Sequence, residues 1–278
     1  MAKFKNQFIE GAVERDISKD IAVKIFELME HFAGYGFNKS HSAAYAMVCY
    51  QTAYLKANFP TQYMAAQMTC EKQNNDKIVD YMNECRRMGI KVLPPSINES
   101  YSDFTMMSEN KILCGLGVIK NVGEKAIESI VSARKMEGKF SSIYDFCERI
   151  DLRLVNKQVI ESLVKAGCFS EIPGHGAQFL GGIETLLQLG NRLNRDRRMG
   201  QMSLFDTTNH DSGSNEYHHL PDTETWSEKE LLKAEKEALG FYVTSHPLKR
   251  NEGLIKKHSN TSTGNLAERS DGDGVFLG

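Results

Sequence analysis

"IKNVGEKAIESIVSARK", residues 119–135, is the stretch on which the reading of the fold turns. Ala126, Ile127, Ile130 and Val131 fall on one face of a helix, and a short helix over 116–120 precedes them. The two are joined by Lys120-Asn121-Val122-Gly123. So tight a turn demands a residue tolerant of positive φ, a condition that Asn121 and Gly123 meet. Such a turn aims backbone N–H groups outward at the start of the second helix, where the partial positive charge favours a phosphate. Lys120 and Lys125 flank that point. The pattern is that of a helix-hairpin-helix, and Lys120, Asn121, Val122, Gly123 and Lys125 are the candidate DNA-binding residues. Contacts of this kind hold a nucleic-acid backbone and read no sequence. An ordinary packed helical hairpin is the plainer alternative.

Downstream, "LVNKQVIESLVKAGCF" (154–169) is a weaker second copy with Asn156 as cap. Its turn lacks glycine, so a purely structural role and a phosphate contact both stand open. Further short helices are expected at 142–149 and 157–166, then a longer one over 176–198 with Phe179, Leu180, Ile183, Leu186 and Leu187 inward. Residues 206–222 are polar enough to stay disordered. Ser227 and Glu230 make a capping box for a helix stopped by Gly240, after which "GFYVTSHPL" reads as extended.

Upstream, Ser18 caps a helix whose apolar face is Ile21, Ile25, Leu28, Met29 and Phe32, with Gly34 past its end. Residues 42–59 are apolar or small on most faces, which predicts a helix buried on several sides. Pro60-Thr61 opens a short helix, and Asn75 caps another with Ile78, Met82 and Cys85 on one face and Gly89 as its stop. The prolines of "KVLPPSIN" force an extended chain. "DFTMMSENKILCG" is a small hairpin turning at 108–110. The fold class is therefore mainly α, with short helices and one small β-hairpin.

Composition narrows the function classes. A net charge of −2 gives no global pull toward nucleic acid, so any DNA contact must be local. No apolar run reaches the roughly 18 residues of a membrane span, and Met1-Ala-Lys-Phe-Lys has no signal-peptide core. The six cysteines lie far apart without a C-x-x-C pair, which fits buried free thiols in a reducing cytoplasm better than zinc or disulfides. A cytoplasmic location is expected, with no membrane partner and no metal site. Asp271-Gly-Asp273 has a D-x-D form but reads as a turn.

Two other clusters stand out. Lys39, Ser40 and His41, near Tyr45 at a helix start, suit a nucleotide or template phosphate. The plainer reading, Ser40 or Ser42 as N-cap and His41 on the surface, is preferred. "QMSLF" (201–205) places Leu204 and Phe205 side by side in a polar stretch, as a partner's apolar pocket would require.

"GFNKSHSAAYAMVCYQTAYLKANFPTQYMAA", "CRRMGIKVLPPSINES", "GLGVIKNVGEKAIESIVSAR" and "LGFYVTSHPL", in this order, resemble the bacterial replicative DNA polymerases of the C family, the alpha subunits of DNA polymerase III. The resemblance covers almost the whole chain. It implies that residues 1–93 are the end of the fingers region and 94–225 a tandem helix-hairpin-helix and clamp-binding region. It makes 226–257 a connector and 258–278 the start of a truncated OB-fold whose first strand is "GVFLG". The same resemblance implies a DNA-directed DNA polymerase as the parent protein, with magnesium in a palm that no position here matches. No catalytic residue and no cofactor are therefore assigned to this chain. Implied partners are double-stranded or primed DNA, the sliding clamp and other subunits of the polymerase holoenzyme. Gln201, Met202, Ser203, Leu204 and Phe205 resemble the clamp-binding pentapeptide, with Met202 where the family favours leucine. A stand-alone DNA-binding helix-hairpin-helix adaptor that docks on the clamp is the alternative.

Overall fold

The computed structural model describes residues 4–35, 39–198 and 220–261 and divides into two compact units, Met1–Phe59 and Pro60–Gly278. The pentapeptide 201–205 and the terminal "GVFLG" fall outside the described residues.

The first unit holds α1 (Lys5–Val13), α2 (Lys19–Tyr35) and α3 (Lys39–Asn58). Helix α1 was not foreseen. Ser18 caps α2 as expected, accepting from the Ile21 N–H at 3.4 Å. The helix continues through Gly34 to Tyr35. Its buried side chains are Ala22 and Phe26, the latter 5.5 Å from the ring of Phe8 on α1. The expected inward stripe of Ile21, Ile25, Leu28, Met29 and Phe32 is instead exposed. The two helices meet along the neighbouring face, where a small alanine lets α1 approach. The predicted burial of the 42–59 helix is likewise overturned. Tyr45, Met47, Val48, Tyr50, Tyr54 and Leu55 on α3 are all exposed.

The second unit begins with α4 (Pro60–Cys70), whose first residue is a proline, where the missing N–H costs nothing. Helix α5 (Asn75–Arg87) is capped by Asn74 rather than Asn75, its side chain accepting from Lys77 N–H at 3.2 Å. Ile78, Met82 and Cys85 are buried as predicted, and Gly89 at φ 73° ends the element. The strands are β1 (Lys91–Leu93), β2 (Thr105–Ser108) and β3 (Lys111–Leu113). The expected hairpin is β2–β3. The extended "KVL" adds β1 parallel to β3, giving the order β1-β3-β2. Helices α4 and α5 pack against this sheet.

Beyond the sheet, residues 116–118 form a single 3₁₀ turn, followed by α6 (Glu124–Glu137), α7 (Ile143–Arg149), α8 (Lys157–Lys165), α9 (Gly176–Gly181) and α10 (Ile183–Arg198). The single helix expected over 176–198 is thus two, interrupted at Gly182. Phe179, Ile183 and Leu186 are still buried. Residues 220–222, expected to be disordered, belong to the packed unit: Leu220 lies against the core, and Pro221 against Gly181 and Gly182. The Ser227–Glu230 capping box is present at the start of α11 (Glu228–Leu239). Residues 241–248 are irregular, and α12 (Glu252–His258) follows.

The core of this unit is continuous. Phe146 touches Phe140 and Phe169 edge-on, each at 5.1 Å between centroids, and Phe169 reaches Phe179 at 5.9 Å. Two arginines missing from the sequence reading hold its polar seams. Arg134 donates to the Ile97 carbonyl at 3.0 Å and stacks over Tyr101. Arg149 donates to the Ala133 and Gly138 carbonyls, pairs with Asp145 and lies over the Phe140 ring. All six cysteines are free. Cys85, Cys114, Cys147 and Cys168 are buried as expected, whereas Cys49 and Cys70 are exposed. Burial pushes the thiols of Cys114 and Cys168 up and that of Cys147 up to about 12. Among the described residues no helix is long and apolar enough to cross a membrane, and no three His, Cys, Asp or Glu side chains are grouped to hold a metal ion.

Candidate nucleic-acid interface

The turn before α6 is built as its sequence requires, with one difference in the division of labour. Asn121 alone adopts the left-handed conformation, at φ 66°. An asparagine tolerates this better than most residues. Gly123 does not share it. It is the N-cap of α6, extended at φ −82° and ψ 161°, and makes no side-chain capping bond. The turn is fastened on both sides. Lys120 N–H donates to the Ala238 carbonyl at 2.9 Å, and the Asn121 amide donates to Ser162 Oγ on α8 at 3.2 Å.

Because Gly123 offers no cap, the first N–H groups of α6 have no partner from that residue's side chain. A Cβ built on Gly123 would meet no atom within 4 Å. Neither its backbone angles nor internal crowding demands a glycine there. What the missing side chain leaves clear is an approach from outside to the positive end of the helix. Val122 is buried beneath the turn, while Lys120 and Lys125 are exposed and make no ion pair among the described residues. One carboxylate, Glu124, lies in the first turn of α6. It accepts from Ser102 Oγ at 3.0 Å. A concave space of about 530 Å³ opens at the turn, lined by Lys72, Gln73, Asn75 and Leu239 together with 117–123. Lys72, paired with Asp103 at 2.8 Å, is a cation that no local motif places here.

The second hairpin copy is arranged differently. The Asn156 side chain fills its own cap by accepting from Val159 N–H at 3.1 Å. Lys157 and Lys165 at the two ends of α8 are committed to Glu184 and Glu237. Lys165 beside Glu237 holds that carboxyl below the usual range, and Lys120 acts in the same direction. The cap and both terminal lysines of this copy thus have partners within the chain, unlike those of the first copy.

A family model for the helix-hairpin-helix motif matches residues 89–179. Over 274 residues, 98% of this chain, the sequence is 42% identical to the DNA polymerase III subunit alpha of Haemophilus influenzae. It is 40% identical over 258 residues, 93% of the chain, to that of Escherichia coli, and 43% identical over 247 residues, 89% of the chain, to that of Neisseria meningitidis. Nearly the whole chain is thus similar to a segment of the DNA polymerase III alpha subunits. It spans 23%, 22% and 21% of the length of these three relatives.

Helix α3 starts at Lys39, so Ser40 and Ser42 lie inside its first turn rather than at its cap. The His41 and Tyr45 rings are 4.3 Å apart and both residues are exposed. The cluster is therefore at the end of an exposed helix, not at the mouth of a buried one, and it lies in the first unit, away in sequence from the hairpin. The pentapeptide 201–205 follows α10 and lies outside the described residues.

Proposed function

We propose that this chain grips the DNA backbone and tethers a sliding clamp on behalf of a template-directed DNA polymerase in the bacterial cytoplasm. The observation that carries the reading is the uncapped start of α6. There Asn121 takes the strained angle, Gly123 leaves the approach open, and Lys120 and Lys125 stand unpaired among the described residues. A phosphate set there would accept from backbone N–H groups and neutralise the lysines, and it would bind alike for every base sequence. Similarity to the polymerase alpha subunits over almost the whole chain favours this role over a free-standing adaptor. The polymerase activity and the magnesium chemistry belong to the proposal for the whole protein.

Gln201, Met202, Ser203, Leu204 and Phe205 supply the tether, with Leu204 and Phe205 entering apolar subsites of the ring. A peptide of this size binds weakly, in roughly the micromolar range. Held on the same DNA, the second contact becomes intramolecular, with an effective concentration up to about millimolar. Processivity then needs no tight interface.

Lys120→Glu tests the hairpin. Removing one charge-assisted phosphate contact is worth about 1.4 kcal/mol or more, so duplex affinity measured by fluorescence anisotropy should fall about tenfold. The loss should be equal for unrelated sequences. An unchanged affinity would refute the phosphate site.

A further inference from the structure

The concave space at the hairpin does not end there. Lys120 N–H is bonded to Ala238, and the next two residues carry the surface onward: Leu239 lines the hairpin cavity, and Gly240 lines a second one of about 750 Å³. Asn75 lines both, its amide lying so close to Gly240 that a Cβ there would sit 2.2 Å from Nδ2. The two cavities therefore adjoin across Asn75 and the 239–240 backbone, as the two halves of a groove.

The far half of this groove is basic and aromatic. Arg86, Lys236 and Lys249 line it, and none of them makes an ion pair among the described residues; Asp76 is the carboxylate in its lining. Arg86 is held by the neutral Asn83 side chain at 2.6 Å, which orients the guanidinium without neutralising it. Tyr242 carries the Lys236 ammonium over its ring at 4.9 Å, and the exposed His246 ring stands edge-on to Tyr242 at 5.5 Å. This segment is set in place by Glu235. Its buried carboxylate accepts from the N–H groups of Val243 and Thr244, the latter at 2.9 Å.

We propose that this half of the groove binds a single strand of DNA continuing from the duplex backbone held at the hairpin, with Arg86 and Lys249 along its phosphates and His246 and Tyr242 against a base. The proposal rests on the hairpin reading for where the strand enters. Cations spaced along a groove track a sugar-phosphate chain, and aromatic rings beside them accept unstacked bases whatever their identity. A closed duplex offers no such base, which is why the occupant is a single strand.

The test compares binding of the full chain to a blunt duplex, to the same duplex with a single-stranded thymidine tail, and to free oligothymidine. The tail should raise affinity about tenfold, the joint effect of one stacked base and two further phosphates. The double variant Arg86→Gln/Lys249→Gln, at two exposed positions, should abolish the gain while changing blunt-duplex affinity less than about twofold. His246→Ala should remove about half of the gain on a logarithmic scale. No gain from the tail, or a gain that survives the double variant, would overturn the groove proposal. If blunt duplex itself fails to bind, the hairpin reading fails. Free oligothymidine then decides the groove: binding lost in the double variant supports it, and binding retained, or none by the unmodified chain, overturns it.

Discussion

Phe146→Ala is expected to destabilise the second unit by about 3–5 kcal/mol, the cost of removing a fully buried phenylalanine when its surroundings relax only in part. Phe146 is completely buried on α7 and meets both Phe140 and Phe169 edge-on. It joins the loop after α6 to the turn after α8. Domains of this size are stable by only about 5–15 kcal/mol, so roughly a fifth of the total or more is at stake. Urea unfolding followed by circular dichroism reads the change as a lower midpoint. A shift below about 1 kcal/mol would mean that the aromatic stack does not organise this core.

Leu204→Ala combined with Phe205→Ala is expected to reduce clamp binding at least about 100-fold, because each side chain contributes roughly 1.5–3 kcal/mol when buried. Starting from the micromolar range, that removes binding from the window of a surface-based or calorimetric assay. A urea midpoint equal to the parent's, measured alongside, separates loss of the peptide contact from loss of the fold. Undiminished clamp affinity would remove the tether from the account and leave the hairpin standing.

Local chemistry made much of this architecture legible. Several residues that act on their own neighbours were read correctly: the Ser227–Glu230 capping box, Asn156 at the head of α8, Gly89 and Gly240 as stops, and the β2–β3 turn. Asn75 and Gly34 were not, since Asn74 caps α5 and α2 runs through Gly34. The hairpin was legible for the same reason, since a left-handed asparagine and an uncapped helix start are properties of a few adjacent residues. Asn121 took the strained angle that glycine was also offered to fill, and Gly123 serves by having no side chain instead.

What the sequence concealed depends on residues far apart. The parallel pairing of β1 with β3 is decided by a partner some 20 residues away, and nothing in "KVL" announces it. Arg149 gave a partial signal through Asp145 four residues before it, but its three carbonyl partners come from the end of α6 and the loop after it. The break at Gly182 was hidden because apolar positions on either side keep helical spacing. The exposure of α3 shows the limit of periodicity. An all-round apolar pattern states that a surface suits burial, while whether anything covers it is a property of the assembly. The cations added by Lys72, Arg86 and Lys249 reached the groove from three separate segments, a convergence without a local signature.

If the turn before α6 holds DNA by its phosphates, binding must respond to ions and not to base sequence. The most direct measurement is duplex affinity as a function of salt. With two to four phosphate contacts, log K should fall against log salt with a slope near −2 to −4, the same for unrelated base sequences. A flat response, or an affinity that follows the sequence of the duplex instead of the salt, would contradict it.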